Sequence, residues 1–237
     1  MRKIVVLLSI IGVLFASSTP YSLDKFKKVL KVVKFQAPFS HYDSKWSAKY
    51  GKFENFSNRY FYLQDDRYMA FYMCEKSKEK RRSELRFKED WLVGDRSLKI
   101  LKLRVKLFVM SQKREFTFAQ IHSDGTIKNQ PTINLPLLRV VWFKKYRSVK
   151  NHIWAIVRLN PKEKIYKKVD LGVLPKGFFN LKIKVQNSIM SVEANGKTYS
   201  QDVSYWGRYP SYFKVGVYLQ DIGCAKVLVD ELSFESL

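Results

Sequence analysis

From about Phe53 to the C-terminus, apolar and polar residues alternate over short runs. Side chains on an extended strand point to opposite faces with a period of two, so such runs predict half-buried strands. "RYFYLQ", "YMAFYM", "RSELRF", "LKILKLRVKLFVM", "FTFAQIH", "LLRVVWF", "HIWAIVRL", "FNLKIKVQ", "IMSVEANGKTY", "YFKVGVYLQ" and "AKVLVDELSF" all fit this reading. Turn signals separate them, among them Asp124-Gly125, Asn195-Gly196 and Pro175-Lys176-Gly177. Roughly a dozen strands with hardly a long helix between them predict an all-β fold, an antiparallel β-sandwich. Its clearest hairpin is "NSIMSVEANGKTYS", with the turn at Asn195-Gly196. Ahead of the strands, "LDKFKKVLKVVKF" carries apolar residues at 23, 26, 29, 30 and 33. That spacing predicts a short basic helix within residues 23–35, with an irregular lead-in strand as the alternative.

Composition adds a size and a compartment. With 237 residues, 46% hydrophobic and 15% aromatic, the chain has ample material for one large core. No sustained internal period and no low-complexity linker divides it. The first eighteen residues, "MRKIVVLLSIIGVLFASS", have a basic start, an apolar stretch and a small-residue exit, the pattern of a secretory signal. Its apolar stretch falls short of the ~20 residues that span a bilayer. The expected organisation is therefore a signal peptide over 1–18, a lead-in segment over 19–52 and the sandwich over 53–237, in a secreted or periplasmic protein.

The formal charge of +23, or +21 without Arg2 and Lys3, favours a polyanionic partner. Nucleic acid, anionic membrane and acidic polysaccharide all qualify by charge, and export disfavours the first. Cys74 and Cys224 match no metal spacing, and a bridge or two buried thiols both fit them.

Three strands stand apart when the period-2 test is applied to their polar sides. In "YFKVGVYLQ", Phe213, Val215, Val217 and Leu219 form an ordinary buried face, while Tyr212, Lys214, Gly216, Tyr218 and Gln220 share the other. In "RSELR", Arg82, Glu84 and Arg86 share a face; in "FAQIHS", Gln120 and His122 do. One such strand is usually a plain solvated surface. Three carrying Arg, His, Gln, Lys and Tyr can line a groove.

That set suits β-elimination on an acidic polysaccharide. The hydrogen at C5 of a uronate lies beside a carboxylate, and an Arg or amide donor that neutralises this carboxylate stabilises the enolate-like charge that builds up. A His or Tyr then takes the proton, and a Tyr can give one to the departing C4 oxygen. Tyrosine ordinarily titrates near ~10, so a Tyr base requires cations such as Lys214 or Arg82 to lower its pKa.

"RSELR", "QIH" and "YFKVGVYLQ", in this order and approximate spacing, resemble the three signature strands of the polysaccharide lyase family 7 alginate lyases. The likeness runs on through "LLRVVW", "DLGVLPKGFFNLKIKV" and "VEANGKTY", covering roughly Phe53 to the C-terminus. It implies a jelly-roll sandwich with a groove across its concave sheet, no metal and no cofactor. By position it implies that Arg82 and Gln120 neutralise the uronate carboxylate and that His122 is the base for guluronate. Tyr218 would be the acid, and both base and acid for mannuronate. Arg86, Lys214 and Gln220 would line neighbouring subsites, with Glu84 holding the cations by ion pairs. The chain departs from the family at Val215, where a small Ala is common, and in "EKSKEKRRSELR", where a Gly/Thr-rich loop is usual. Val215 points away from the polar face and implies only repacking; the basic run bears on substrate preference.

Other residues read as structural. His41 and His152 have no such context, Lys76 to Arg82 is a solvated basic loop, and Asp65-Asp66 show no calcium spacing. The expected partner is alginate, with no nucleic acid, no membrane after signal cleavage, and a monomeric state. The rivals are a lyase for another polyuronate such as glucuronan, a non-catalytic module gripping acidic polysaccharide, and a secreted binder of nucleic acid or heparin-like chains resting on charge alone.

Overall fold

The structure is a computed structural model that describes residues 18–76, 79–110, 113–127 and 131–237. The segment read as a secretory signal therefore lies, up to residue 17, outside the described residues. Among the described residues, fourteen strands follow one short α-helix. They are β1 (Val33–Gln36), β2 (Phe61–Gln64), β3 (Tyr68–Glu75), β4 (Arg81–Phe87), β5 (Lys99–Val109), β6 (Glu115–Ser123) and β7 (Pro136–Tyr146). β8 (Val149–Arg158), β9 (Tyr166–Val173), β10 (Phe179–Gln186), β11 (Ile189–Ala194), β12 (Lys197–Asp202), β13 (Ser211–Leu219) and β14 (Gly223–Ser236) complete the set.

The strands form two seven-stranded antiparallel sheets, in the orders β1-β4-β13-β6-β7-β8-β9 and β12-β11-β10-β5-β14-β3-β2. The sandwich expected from the alternation is what forms, because each strand has one apolar face to bury and the two sheets supply each other's cover. Phe213, Val215, Val217, Leu219, Leu85, Ala119 and Ile121 all enter the shared core. The β11–β12 hairpin turns at Asn195 and Gly196, both at positive φ, as a tight two-residue turn between right-twisted strands requires.

The predicted helix is shorter than the periodicity suggests. α1 spans Asp24–Leu30 and buries Phe26, Val29 and Leu30, after which Val33 to Gln36 becomes a strand paired with β4. The β-branched Val32 and Val33 favour extended backbone, and the free edge of β4 offers hydrogen bonds that a further helical turn cannot match. The segment ahead of Phe53 thus contributes both a helix and an edge strand to the sandwich.

Cys74 and Cys224 stand opposite one another on β3 and β14 and are joined in a disulfide. This settles the choice that spacing alone left open. Among the described residues no helix is long and apolar enough to cross a membrane.

Candidate active site

The sheet order places the three polar-faced strands side by side, with β13 between β4 and β6. Tyr218 stands opposite Arg82, Gly216 opposite Glu84, Lys214 opposite both Arg86 and Gln120, and Tyr212 opposite His122. All eight residues singled out from the sequence therefore lie on or beside one face. Gly216 explains the gap in that pattern. Its φ is +143°, and a Cβ there would fall 2.1 Å from the Ser83 carbonyl oxygen, so only glycine lets β13 approach β4 this closely.

Glu84 is the hub of the site. It is 2% exposed, its Oε2 lies 2.5 Å from the Lys214 ammonium and 3.7 Å from Arg82 Nη1, and its Oε1 accepts from Gln120 Nε2 at 2.5 Å. Lys214, also 2% exposed, is held below its usual range, at about 8, because burial outweighs the attraction of Glu84. Two cations against one carboxylate leave one net positive charge. Arg82 directs its guanidinium 5.1 Å from the centre of the Tyr218 ring, and its Nε is buried with no hydrogen-bond partner among the described residues. A buried N–H of this kind is costly unless a ligand meets it.

His122 is half-buried, with Nδ1 2.8 Å from the Ser123 carbonyl oxygen. A carbonyl only accepts, so this bond places the proton of the neutral ring on Nδ1 and leaves the lone pair on Nε2. Burial, aided by the Lys214 charge, depresses the imidazole to about 4, so it is neutral and able to accept a proton at ordinary pH. The Tyr212 hydroxyl lies 3.3 Å from Nδ1 and braces the ring.

Tyr218 departs from the sequence expectation. Burial pushes its phenol up, and the opposing pull of Arg82 and Arg139 does not cancel this. Lys214, expected to lower it, is turned to Glu84 instead. The phenol is therefore protonated in the free protein, a state suited to giving a proton rather than taking one.

Arg86 lies on the same face but is enclosed. Its guanidinium bonds to Asp90 at 3.2 Å, to Asp124 and to the Tyr50 hydroxyl, and sits 3.9 Å from the centre of the Tyr212 ring. Gln220, just past the end of β13, is exposed and accepts from Arg139. Arg139 and Tyr212 were assigned no role from the sequence. The same period-2 test applied to "LLRVVW" finds Arg139, because its neighbours Leu138 and Val140 face the core. The enclosing residues Tyr50, Asp90 and Asp124 lie on loops and carry no comparable signal. His41 stacks on Phe39 and His152 pairs with Asp170. Among the described residues no group of three or more His, Cys, Asp or Glu is placed to hold a metal ion.

Beyond Arg139 the face changes character. Val141 and Phe143 on β7 pack with Trp154 and Ile156 on β8 into a separate apolar cluster. The polar floor thus extends from this cluster towards the β1 edge.

An alginate lyase of Photobacterium sp. is 37% identical to this chain over 133 residues, 46% of each protein, so the chain spans about half of that relative's length. Among solved structures, alginate lyase AlyC3 superposes with a TM-score of 0.81 at 28% identity, covering 94% of this chain and 96% of that one. Its complex with dimannuronate gives 0.82 at 27%, over the same shares. The alginate lyase PA1167 from Pseudomonas aeruginosa, at 22% identity and a TM-score of 0.69 over 88% of this chain and 99% of that one, shares the jelly-roll fold. A family model described as "Alginate lyase" matches residues 33–236. Matched over nearly all of its sandwich, the chain belongs to the alginate lyase family, polysaccharide lyase family 7.

Proposed function

We propose that this protein cleaves alginate by β-elimination, leaving an unsaturated uronate at the new end. The observation that carries this is the group above Glu84. A guanidinium with a free buried N–H, an imidazole with its lone pair on Nε2 and a protonated phenol stand on adjacent strands around one uncompensated positive charge. Arg82, with the remaining N–H of Gln120, takes the uronate carboxylate and stabilises the charge that develops on it. His122 Nε2 removes the C5 proton of guluronate. The C4–O bond breaks as the C4–C5 double bond forms, and Tyr218 gives its proton to the departing oxygen. For mannuronate, where both events fall on one side of the ring, Tyr218 serves in both steps: it must first lose its proton, then takes the C5 proton as phenolate and passes it to the departing C4 oxygen. Glu84 and Lys214 hold the floor, and Gln220 and Arg86 border neighbouring sugar positions.

The likeness to AlyC3, solved with dimannuronate, supports an alginate substrate. The disulfide supports an oxidising compartment, and with residues 1–18 acting as a cleaved signal the enzyme works as an exported monomer, its sandwich formed by residues 53–237 together with the edge strand β1. Ultraviolet absorbance of the unsaturated product tests the activity. Poly-mannuronate, poly-guluronate and glucuronan, assayed separately, decide the sugar. His122→Ala and Tyr218→Phe are expected to lose about 10²- to 10⁴-fold in turnover on the substrates that use them. Alginate binding with no double-bond product would instead favour a non-catalytic module.

A further inference from the structure

The polar face does not end at the catalytic cluster. A single cross-strand row runs Lys34 on β1, Arg86 on β4, Lys214 on β13, Gln120 on β6 and Arg139 on β7. The next residue in the row is Ile156, within the apolar cluster of β7 and β8. The row is therefore closed on that side and open at β1, where it meets a cavity of about 580 Å³. Lys34, Tyr42, Lys49, Tyr50 and Lys52 line this cavity.

The cations here differ from those at the catalytic centre. Lys214 and Arg82 face Glu84, and Arg86 is neutralised by Asp90 and Asp124. Among the described residues, Lys34, Lys49 and Lys52 have no carboxylate within ion-pair distance. Lys34 and Lys49 sit instead 5.2 and 5.5 Å from the ring centres of Tyr50 and Tyr42. Burial and the nearby Arg86 depress the Lys34 ammonium, against the smaller pull of Asp124 and Asp90, so the charge left for a ligand is mainly that of Lys49 and Lys52. Tyr42 is 54% exposed, an uncovered ring beside uncompensated charge.

We infer that this cavity is a distal subsite for an acidic polysaccharide, holding a sugar several units from the cleaved bond. The three lysines receive its carboxylate, and the Tyr42 ring meets its face. The inference rests on the polyuronate reading above and adds to it a preference for long chains. Neighbouring strands are about 4.8 Å apart, on the order of one pyranose per strand, so a chain crossing them from Gln120 to Lys34 lays successive sugars over β6, β13, β4 and β1. A short oligomer seated at His122 does not reach the cavity.

The test is charge reversal at the two exposed lysines, Lys49→Glu with Lys52→Glu, alongside Tyr42→Ala. Lys106→Glu with Lys184→Glu, on the outer face of the other sheet, serves as a charge-matched control. With long alginate as substrate, kcat/KM of the reversed pair falls about five- to tenfold, while its value on an alginate trisaccharide and the behaviour of the control stay within about twofold of wild type. Affinity electrophoresis in gels containing alginate reads the same loss without turnover. Equal losses on polymer and trisaccharide, equal losses in the control, or no loss of mobility shift would overturn the subsite. A wild-type protein that yields no unsaturated product fails the proposed function instead, and the gel arm still decides the subsite.

Discussion

Replacing Glu84 by Gln removes the carboxylate that faces Lys214 while keeping its shape. At 2.5 Å and an effective dielectric of ~20, the lost attraction is on the order of 7 kcal/mol before desolvation. Broken buried pairs cost about 3–5 kcal/mol in practice. Urea unfolding of Glu84→Gln at pH 7 should therefore lose about 3–5 kcal/mol, with a Tm lower by roughly 10 °C.

The proton balance gives a second reading of the same variant. Lys214 titrates near 8 with Glu84 present and lower without it. A folded state that holds fewer protons than the unfolded chain gains stability as pH rises. The variant should gain across pH 6–7 at up to about 1.4 kcal/mol per unit, where this lysine leaves the wild type nearly flat. Adding Lys214→Met removes the stranded charge and should recover most of the loss. A single variant within about 1 kcal/mol of wild type, or a double variant no more stable than the single, would refute the assignment of Glu84 as the electrostatic hub.

Gly216→Ala should abolish the close β4–β13 approach and leave little folded protein, measurable as lost soluble expression or a Tm fall beyond that of Glu84→Gln, since the added carbon meets backbone that cannot yield. Replacing both Cys74 and Cys224 by Ser opens a link between residues 150 apart and should cost about 2–4 kcal/mol in urea unfolding without reducing agent. His122, depressed from 6.5 to about 4, makes the folded state bind fewer protons than the unfolded chain in that window. Its contribution is complete above pH 6.5 and is lost as pH falls towards 4, by about 3 kcal/mol in all. His122→Asn should flatten the stability–pH curve by that amount, and a curve parallel to wild type would contradict the neutral imidazole.

The sequence by itself determined which side chains share a face. Alternation is a local property of extended backbone, so Arg82, Glu84 and Arg86, Gln120 and His122, and the polar side of 212–220 were legible from spacing alone, as was the apolar side that packs the core. The tertiary structure decided what those faces meet. Strand order set β13 between β4 and β6, gave Gly216 its steric reason and brought Cys74 opposite Cys224. It also cut α1 short to supply an edge strand, and added Arg139 and the lysines beside Tyr50 to the same floor. Protonation was likewise settled only there, with Tyr218 raised despite its cations and His122 lowered. Pairing partners and desolvation depend on residues far apart in the chain, and a period of two carries no information about either.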